Sequence, residues 1–246
     1  MTTAVPADVN NNALPAAKKS LLIFDFDGTL IDSVPDLAAG INGMMTEMGR
    51  DPYPLDKVRD WVGNGSRLLV ERALVGAVEV GDGLPAAEVD AAEEVFFKAY
   101  AQQSGKETVA YPNVDSGLKQ LAAAGFTLAL VTNKPIRFVP KILASFSWDS
   151  LFTEVLGGDS LPTKKPDPAP LLHVCEQIGV SPAQAVMIGD SKNDILAGQN
   201  AAMDTLGLSY GYNYGQDIRD YNPTVAFDNF QDLVDFILAN YLGYSA

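Results

Sequence analysis

The chain has 246 residues, 47% of them hydrophobic, with a formal net charge of −14. That length holds one large domain or a core with a smaller unit, and the apolar share supports a sizeable buried interior rather than disorder. The acidic balance excludes a general nucleic-acid binder and opposes adsorption to an anionic membrane, but not a small anionic substrate, because a bound cation and a few lysines reverse the field locally.

Residues 1–18 are rich in Ala, Pro, Asn and Asp and read as a disordered tail without the apolar stretch of a secretory signal. No apolar run approaches the length of a spanning helix, so a cytoplasmic protein is expected. Leu21-Leu-Ile-Phe24 is a short apolar run that meets two carboxylates, Asp25 and Asp27, and then Gly28. Such a run reads as a buried strand of a parallel sheet, and ligands of open α/β sheets bind beyond the carboxyl ends of the strands.

Residues 34–109 change character. Leu37, Ile41, Met44, Met45 and Met48 recur at helical spacing from Pro35, and Gly49 suits the stop. A short helix is expected over Leu55–Trp61, followed by the loop Val62-Gly-Asn-Gly65 and a second helix that Ser66 would cap. A long helix follows over Ala86–Gln103. Little of this span reads as strand, so 34–109 is expected to be a helical cap inserted into an α/β core made of 19–33 and 110–246.

After Pro112 the α/β rhythm resumes. Helices are expected over Val114–Ala124, 135–145, Pro168–Gln177, Ile195–Ala202 and Phe230–Tyr241. Strands are expected over Phe126–Thr132, Phe152–Leu156, Ala185–Gly189, Thr205–Leu208 and Val225–Phe227. Cys175 is the one cysteine, cannot form an intramolecular disulfide, and reads as a buried apolar filler. His173, in the same helix, reads as packed or exposed and not as a ligand. Tyr210, Tyr212 and Tyr214 alternate in what reads as a surface loop. The fold class is α/β: a Rossmann-like parallel sheet with an inserted all-helical cap.

Four strand ends then carry polar groups: Asp25 and Asp27, Thr132 and Asn133, Lys165, and Asp190 with Asp194. In a parallel sheet they converge on one edge. The set suits phosphoryl transfer. One carboxylate can attack phosphorus and a second can exchange protons with the leaving oxygen and water. A hydroxyl, an amide and a lysine can hold phosphoryl oxygens, and several carboxylates suit Mg²⁺. Two local features have plainer readings: Asp194 as an acid at a helix N-terminus, and Asp32 as a cap for the helix from Val34.

Asp25-Phe-Asp-Gly-Thr-Leu30, Thr132-Asn133, Lys165-Pro166 and Gly189-Asp190-xxx-Asp194 resemble, in order and spacing, the four motifs of the haloacid dehalogenase superfamily. The resemblance spans about residues 20–241. Asp32-Ser-Val-Pro-Asp-Leu37, Trp61-Val-Gly-Asn-Gly65, Arg72-Ala-Leu74 and Lys165-Pro-Asp-Pro-Ala-Pro-Leu171 bring it closer to the bacterial phosphoglycolate phosphatase family. The resemblance implies that Asp25 is the nucleophile and a Mg²⁺ ligand. It makes Asp27 the general acid/base, with its carbonyl on the metal. Thr132, Asn133 and Lys165 would bind phosphate, Asp190 would ligate the metal, and Asp194 would support that site. The implied substrate is a small anionic phosphate ester, 2-phosphoglycolate first, with another metabolite phosphatase or a sugar phosphomutase as alternatives. Asp27 argues against a dehalogenase, whose leaving group needs no proton, and against a phosphonate-cleaving relative, which would carry Ala there. A non-catalytic binding protein is disfavoured because every catalytic side chain is present. For the substrate carboxylate, Arg67 and the loop Gly63, Asn64 and Gly65 are the candidates from the cap.

Overall fold

The computed structural model describes residues 18–242. All but Lys18 of the expected N-terminal tail lies outside them. In chain order the elements are β1 (Leu21–Phe24), β2 (Ile31–Asp32), α1 (Val34–Glu47), α2 (Leu55–Arg59), α3 (Ser66–Val75), α4 (Ala86–Gln103), β3 (Val109–Ala110), α5 (Val114–Ala123) and β4 (Thr127–Val131). Then come α6 (Val139–Ser145), β5 (Glu154–Leu156), α7 (Ala169–Ile178), β6 (Ala185–Gly189), α8 (Lys192–Asn200), β7 (Asp204–Leu208), β8 (Val225–Phe227) and α9 (Phe230–Asn240).

Six strands form one sheet in the order β5-β4-β1-β6-β7-β8, every pairing parallel. The first strand in sequence lies inside the sheet, with Phe24 level with Leu130 on one side and Ile188 on the other. All four of its side chains are buried. Their alternation splits them between two cores. Leu22 and Phe24 join Leu118, Leu130, Ile188 and Phe230 on one face, while Leu21 and Ile23 join Leu171, Val174 and Met187 on the other. Cys175 is in the second core, and burial raises its thiol pKa to about 11. It is a packed side chain, as its apolar surroundings suggest.

A third core belongs to α1–α4. Ile41, Met44, Trp61, Val70, Phe96 and Tyr100 pack together above the carboxyl edge of the sheet. A fully buried side chain of this size contributes roughly 1.5–3 kcal/mol through apolar area removed from water. The chain leaves and returns along one narrow ribbon, β2 antiparallel to β3, with Ile31 opposite Ala110 and Asp32 opposite Val109. Four residues, Ile31, Asp32, Val109 and Ala110, are therefore strand where the sequence gives no strand signal. Their pairing is long-range and leaves no local pattern.

Two local expectations change. Gly65, with φ +90°, occupies the N-cap of α3, and Ser66 is its first helical residue, donating from Oγ to Glu93 Oε1 at 2.6 Å. The tyrosines after β7 face inward and do not form a surface loop. Tyr212 is 2% exposed, and Tyr210 and Tyr214 are half-buried. Alternation in an irregular segment carries no facing information until the segment is seated against something.

Candidate active site

β1 delivers Asp25 to the carboxyl edge, where its N–H still donates to Ile188 O at 2.9 Å. The chain then turns. Phe26 is driven into the core, Gly28 adopts φ +91°, and its N–H donates to Ile31 O at 2.8 Å. A residue with a side chain is strained in that conformation. The turn brings Asp27 out on the cap side, where Ser33 Oγ and Lys134 Nζ hold its carboxylate, the lysine at 2.9 and 3.1 Å from the two oxygens.

Next to β1, β6 ends in Gly189 and Asp190. Asp190 accepts from Thr29 Oγ1 and from Tyr212 N, each at 2.6 Å. Helix α8 starts directly afterwards. Ser191 is its N-cap, and Asp194 Oδ2 accepts from the Ser191 N–H at 3.0 Å and the Ser191 hydroxyl at 2.8 Å. The other Asp194 oxygen lies 2.7 Å from Lys165 Nζ, which is also 2.9 Å from Asp25 Oδ1. One Asp194 oxygen therefore closes the helix end, and the other faces Lys165 and, through it, Asp25.

Ligand oxygens of Asp25, Asp190 and Asp194 all lie within 4.8 Å of one another, and all three residues are buried. Burial raises the Asp25 carboxyl to about 7, with Lys165 opposing the rise and Asp194 adding to it. Burial, followed by the charges of Asp194 and Asp25, also holds Asp190 well above the ordinary carboxylate range. Lys165 behaves in the opposite sense. Burial works to lower its pKa, but Asp194 and Asp25 outweigh it and the ammonium is held above its ordinary value. With all four carboxyls ionised, Asp25, Asp27, Asp190 and Asp194 facing Lys134 and Lys165 would leave two negative charges, the complement of one divalent cation. The donors are oxygens only, the preference of a hard ion such as Mg²⁺. The residues fit such an ion.

Thr132 and Asn133 follow β4. Thr132 Oγ1 accepts from the Lys134 N–H at 3.2 Å. The Asn133 amide donates to Lys165 O at 3.0 Å and across to Gly63 O of the α2–α3 loop at 3.1 Å. Asn193 Nδ2 meets the same Gly63 oxygen at 3.1 Å. Core and helical unit thus enclose one cavity of about 40 Å³, lined by Asp25, Asp27, Thr132, Asn133 and Lys134 below and by Gly63, Gly65, Phe96 and Tyr100 above. That is room for a few water-sized groups.

The structure brings Asp25, Asp27, Thr132, Asn133, Lys165, Asp190 and Asp194 together, and places Gly63 and Gly65 on the cavity wall. It does not bring Arg67 there. That guanidinium is exposed, 2.6 Å from Asp90 and 3.5 Å from Glu71. The Asn64 side chain also turns away, accepting from Arg72 at 3.0 Å, while Arg72 donates to Trp61 O at 2.7 Å. Buried Arg72 thus shapes the loop that Arg67 merely follows. Sequence reasoning missed Lys134, although it directly follows Thr132-Asn133 at a strand end. It also missed Ser33, Asn193 and Tyr212, whose roles depend on contacts across more than one element.

Residues 22–208 match the model of the family described as haloacid dehalogenase-like hydrolase. The chain belongs to that family. Among its relatives in the family, the chain is 73% identical over 224 residues to the phosphoglycolate phosphatase of Psychrobacter arcticus, covering 91% of this chain and 97% of the relative. It is 46% identical over 217 residues to the phosphoglycolate phosphatase of Colwellia psychrerythraea, covering 88% and 96%. A crystal structure described as a predicted phosphoglycolate phosphatase from Haemophilus somnus superposes with a TM-score of 0.83 at 39% identity, covering 89% of this chain and 98% of that one. The parallel sheet with carboxylates at its carboxyl edge is the fold of this hydrolase family, as the motifs imply.

Proposed function

We propose that the protein is a Mg²⁺-dependent cytoplasmic phosphatase that hydrolyses 2-phosphoglycolate to glycolate and phosphate through an aspartyl-phosphate on Asp25. The observation that carries this reading is the buried cluster of Asp25, Asp190 and Asp194 around Lys165, opening onto a small cavity that Asp27 also lines. The names of relatives that cover nearly the whole chain supply the substrate. No helix among the described residues is long and apolar enough to cross a membrane.

Asp25, Asp190 and the Asp27 carbonyl would hold the cation, supported by Asp194. When bound, the cation neutralises charge on the phosphoryl oxygens. Lys165 holds one Asp25 oxygen in place, which orients the carboxylate for attack. Asp25 attacks phosphorus, the ester P–O bond breaks, and Asp27 delivers a proton to the departing glycolate oxygen. Asp27 then removes a proton from water. The water oxygen attacks phosphorus, the bond to Asp25 breaks, and phosphate leaves. Thr132 and Asn133 are placed to hold phosphoryl oxygens through both steps. Residues 34–109 act as a cap that closes over the site and excludes bulk water.

The test is phosphate release from a panel of esters with and without Mg²⁺. The wild type should turn over 2-phosphoglycolate with the highest kcat/KM and depend on the cation. Asp25→Asn should lose at least about 10³-fold in kcat, since no other group can form the covalent intermediate. An Asp25→Asn variant with full turnover, or a panel in which 2-phosphoglycolate is a poor substrate, would each refute the corresponding half of the reading.

A further inference from the structure

We propose that Lys134 binds the second anionic group of the substrate, the carboxylate two bonds from the ester oxygen, by exchanging it for Asp27. The inference rests on the reading of the substrate as a carboxylate-bearing phosphate ester. Lys134 is the one cation among the described residues that line the cavity. Its side chain is 2% exposed and its ammonium lies 5.1 Å from the centre of the Tyr100 ring, so it stands where core and cap meet. Lys164 reaches the outer side of Gly65 and does not line the cavity, and two other nearby cations are committed elsewhere. Lys165 is between Asp25 and Asp194, and Arg67 is on the outer face against Asp90.

The chemistry fixes where the substrate carboxylate must lie. A general acid has to come within about 2.6–3.2 Å of the oxygen it protonates, so the ester oxygen sits against Asp27. Lys134 Nζ is 2.9 Å from that same Asp27 carboxylate. In a phosphoglycolate-like ester one carbon separates the ester oxygen from the carboxylate carbon. A carboxylate at that distance falls next to whatever group hydrogen-bonds Asp27, which here is Lys134 and Ser33. The site with its cation is close to neutral, so an incoming trianion meets no surplus positive charge except a lysine that can trade partners. Lys134 can do so without a change of fold, because Ser33 Oγ still donates to Asp27 once the lysine turns away.

The experiment compares 2-phosphoglycolate with ethyl phosphate, in which a methyl group replaces the carboxylate. Each is assayed with Mg²⁺ in the full-length wild type, Lys134→Met and Lys134→Gln. Both variants should lose activity on both esters. The ratio of kcat/KM values, 2-phosphoglycolate over ethyl phosphate, should fall by about 10- to 100-fold, mainly through KM, as expected for loss of one charge-assisted contact. Lys134→Gln carries the same expectation and stands in if the methionine variant does not fold. A wild type that prefers 2-phosphoglycolate, together with variants that keep that ratio, would overturn the role of Lys134 alone. A wild type with no preference would overturn the substrate reading and this role with it.

Discussion

A methyl group at position 211 would sit 2.2 Å from Asp190 Oδ2, and one at position 28 would sit equally close. The orientation of Asp190 is therefore set by two absent side chains as much as by Thr29 and Tyr212. Gly211 is the cleaner probe, because Gly28 also needs a positive φ. Gly211→Ala should raise the Mg²⁺ concentration for half-maximal activity by about 10- to 100-fold, the usual scale for disturbing groups that orient a metal ligand. Activity titrations with Mg²⁺ check this, and an unchanged midpoint would contradict the packing argument. At position 67 the outcome is small. Arg67 is an exposed residue in a surface network with Asp90, Glu71 and Glu93. Such pairs contribute about 0–1 kcal/mol. Arg67→Ala should leave KM for 2-phosphoglycolate and for p-nitrophenyl phosphate within about twofold of wild type. A selective rise for 2-phosphoglycolate would return Arg67 to the substrate.

Among the elements, one acid secures the junction where the chain leaves the sheet for the helical unit and returns. Asp36, in the first turn of α1 and 1% exposed, accepts from the backbone N–H groups of Gly105, Lys106, Glu107 and Thr108 and from the Thr108 hydroxyl. It ties the start of the helical unit to the segment that returns from it after α4. The β2–β3 ribbon is only two residues long on each side and could not hold that junction by itself. Asp36→Ala would strip several donors of their acceptor in a poorly solvated place. It should destabilise the protein by about 2–4 kcal/mol. Urea denaturation followed by circular dichroism tests this; a loss under about 1 kcal/mol would mean that solvent replaces the carboxylate. A second link runs through Tyr212. Its N–H donates to Asp190, while its hydroxyl meets Ser33 N and Asp32 Oδ1, and Asp32 pairs with Arg59 of α2. Asp190 and the helical unit are thus connected through one buried tyrosine.

For the whole molecule, folding, protons and cation are linked. In the metal-free protein burial raises Asp25 from 3.8 to about 7. Between those values the folded chain holds a proton that the unfolded chain has released. The stability of the metal-free protein therefore falls as pH rises through that window. A cation binds the ionised carboxylate, so below about pH 7 its binding must displace the proton, and its affinity should weaken by up to about tenfold per pH unit. Mg²⁺ should accordingly raise Tm more at about pH 8 than at about pH 6. Calorimetric titration in two buffers of different ionisation enthalpy should show more proton release at the lower pH. A Tm gain that is the same at both would argue that the cation does not use Asp25.

The sheet and the site motifs were readable because each is a local statement. An apolar run such as Leu21–Phe24 ending in Asp25 defines a strand and its functional end without knowledge of its neighbours. Repetition of that pattern at Thr132 and Asp190 implies a shared edge in any parallel sheet. The helices within residues 34–109 follow from periodicity in the same way. What the chain alone did not reveal depends on groups distant in sequence becoming neighbours. Arg67 and Arg72 have the same chemistry but lie five residues apart in α3, on different faces of the helix, and the packing of α3 decides which face meets solvent and which lies beneath the 61–65 loop. Tyr212 and Lys134 acquire their roles from Asp190, Asp32 and Asp27, between 22 and 180 residues away. Composition and pattern determined the class of fold and the kind of chemistry. Which cation faces the cavity, and which acids share their charge, was decided by tertiary packing, because electrostatic and hydrogen-bond energies depend on distance in space and not on separation along the chain.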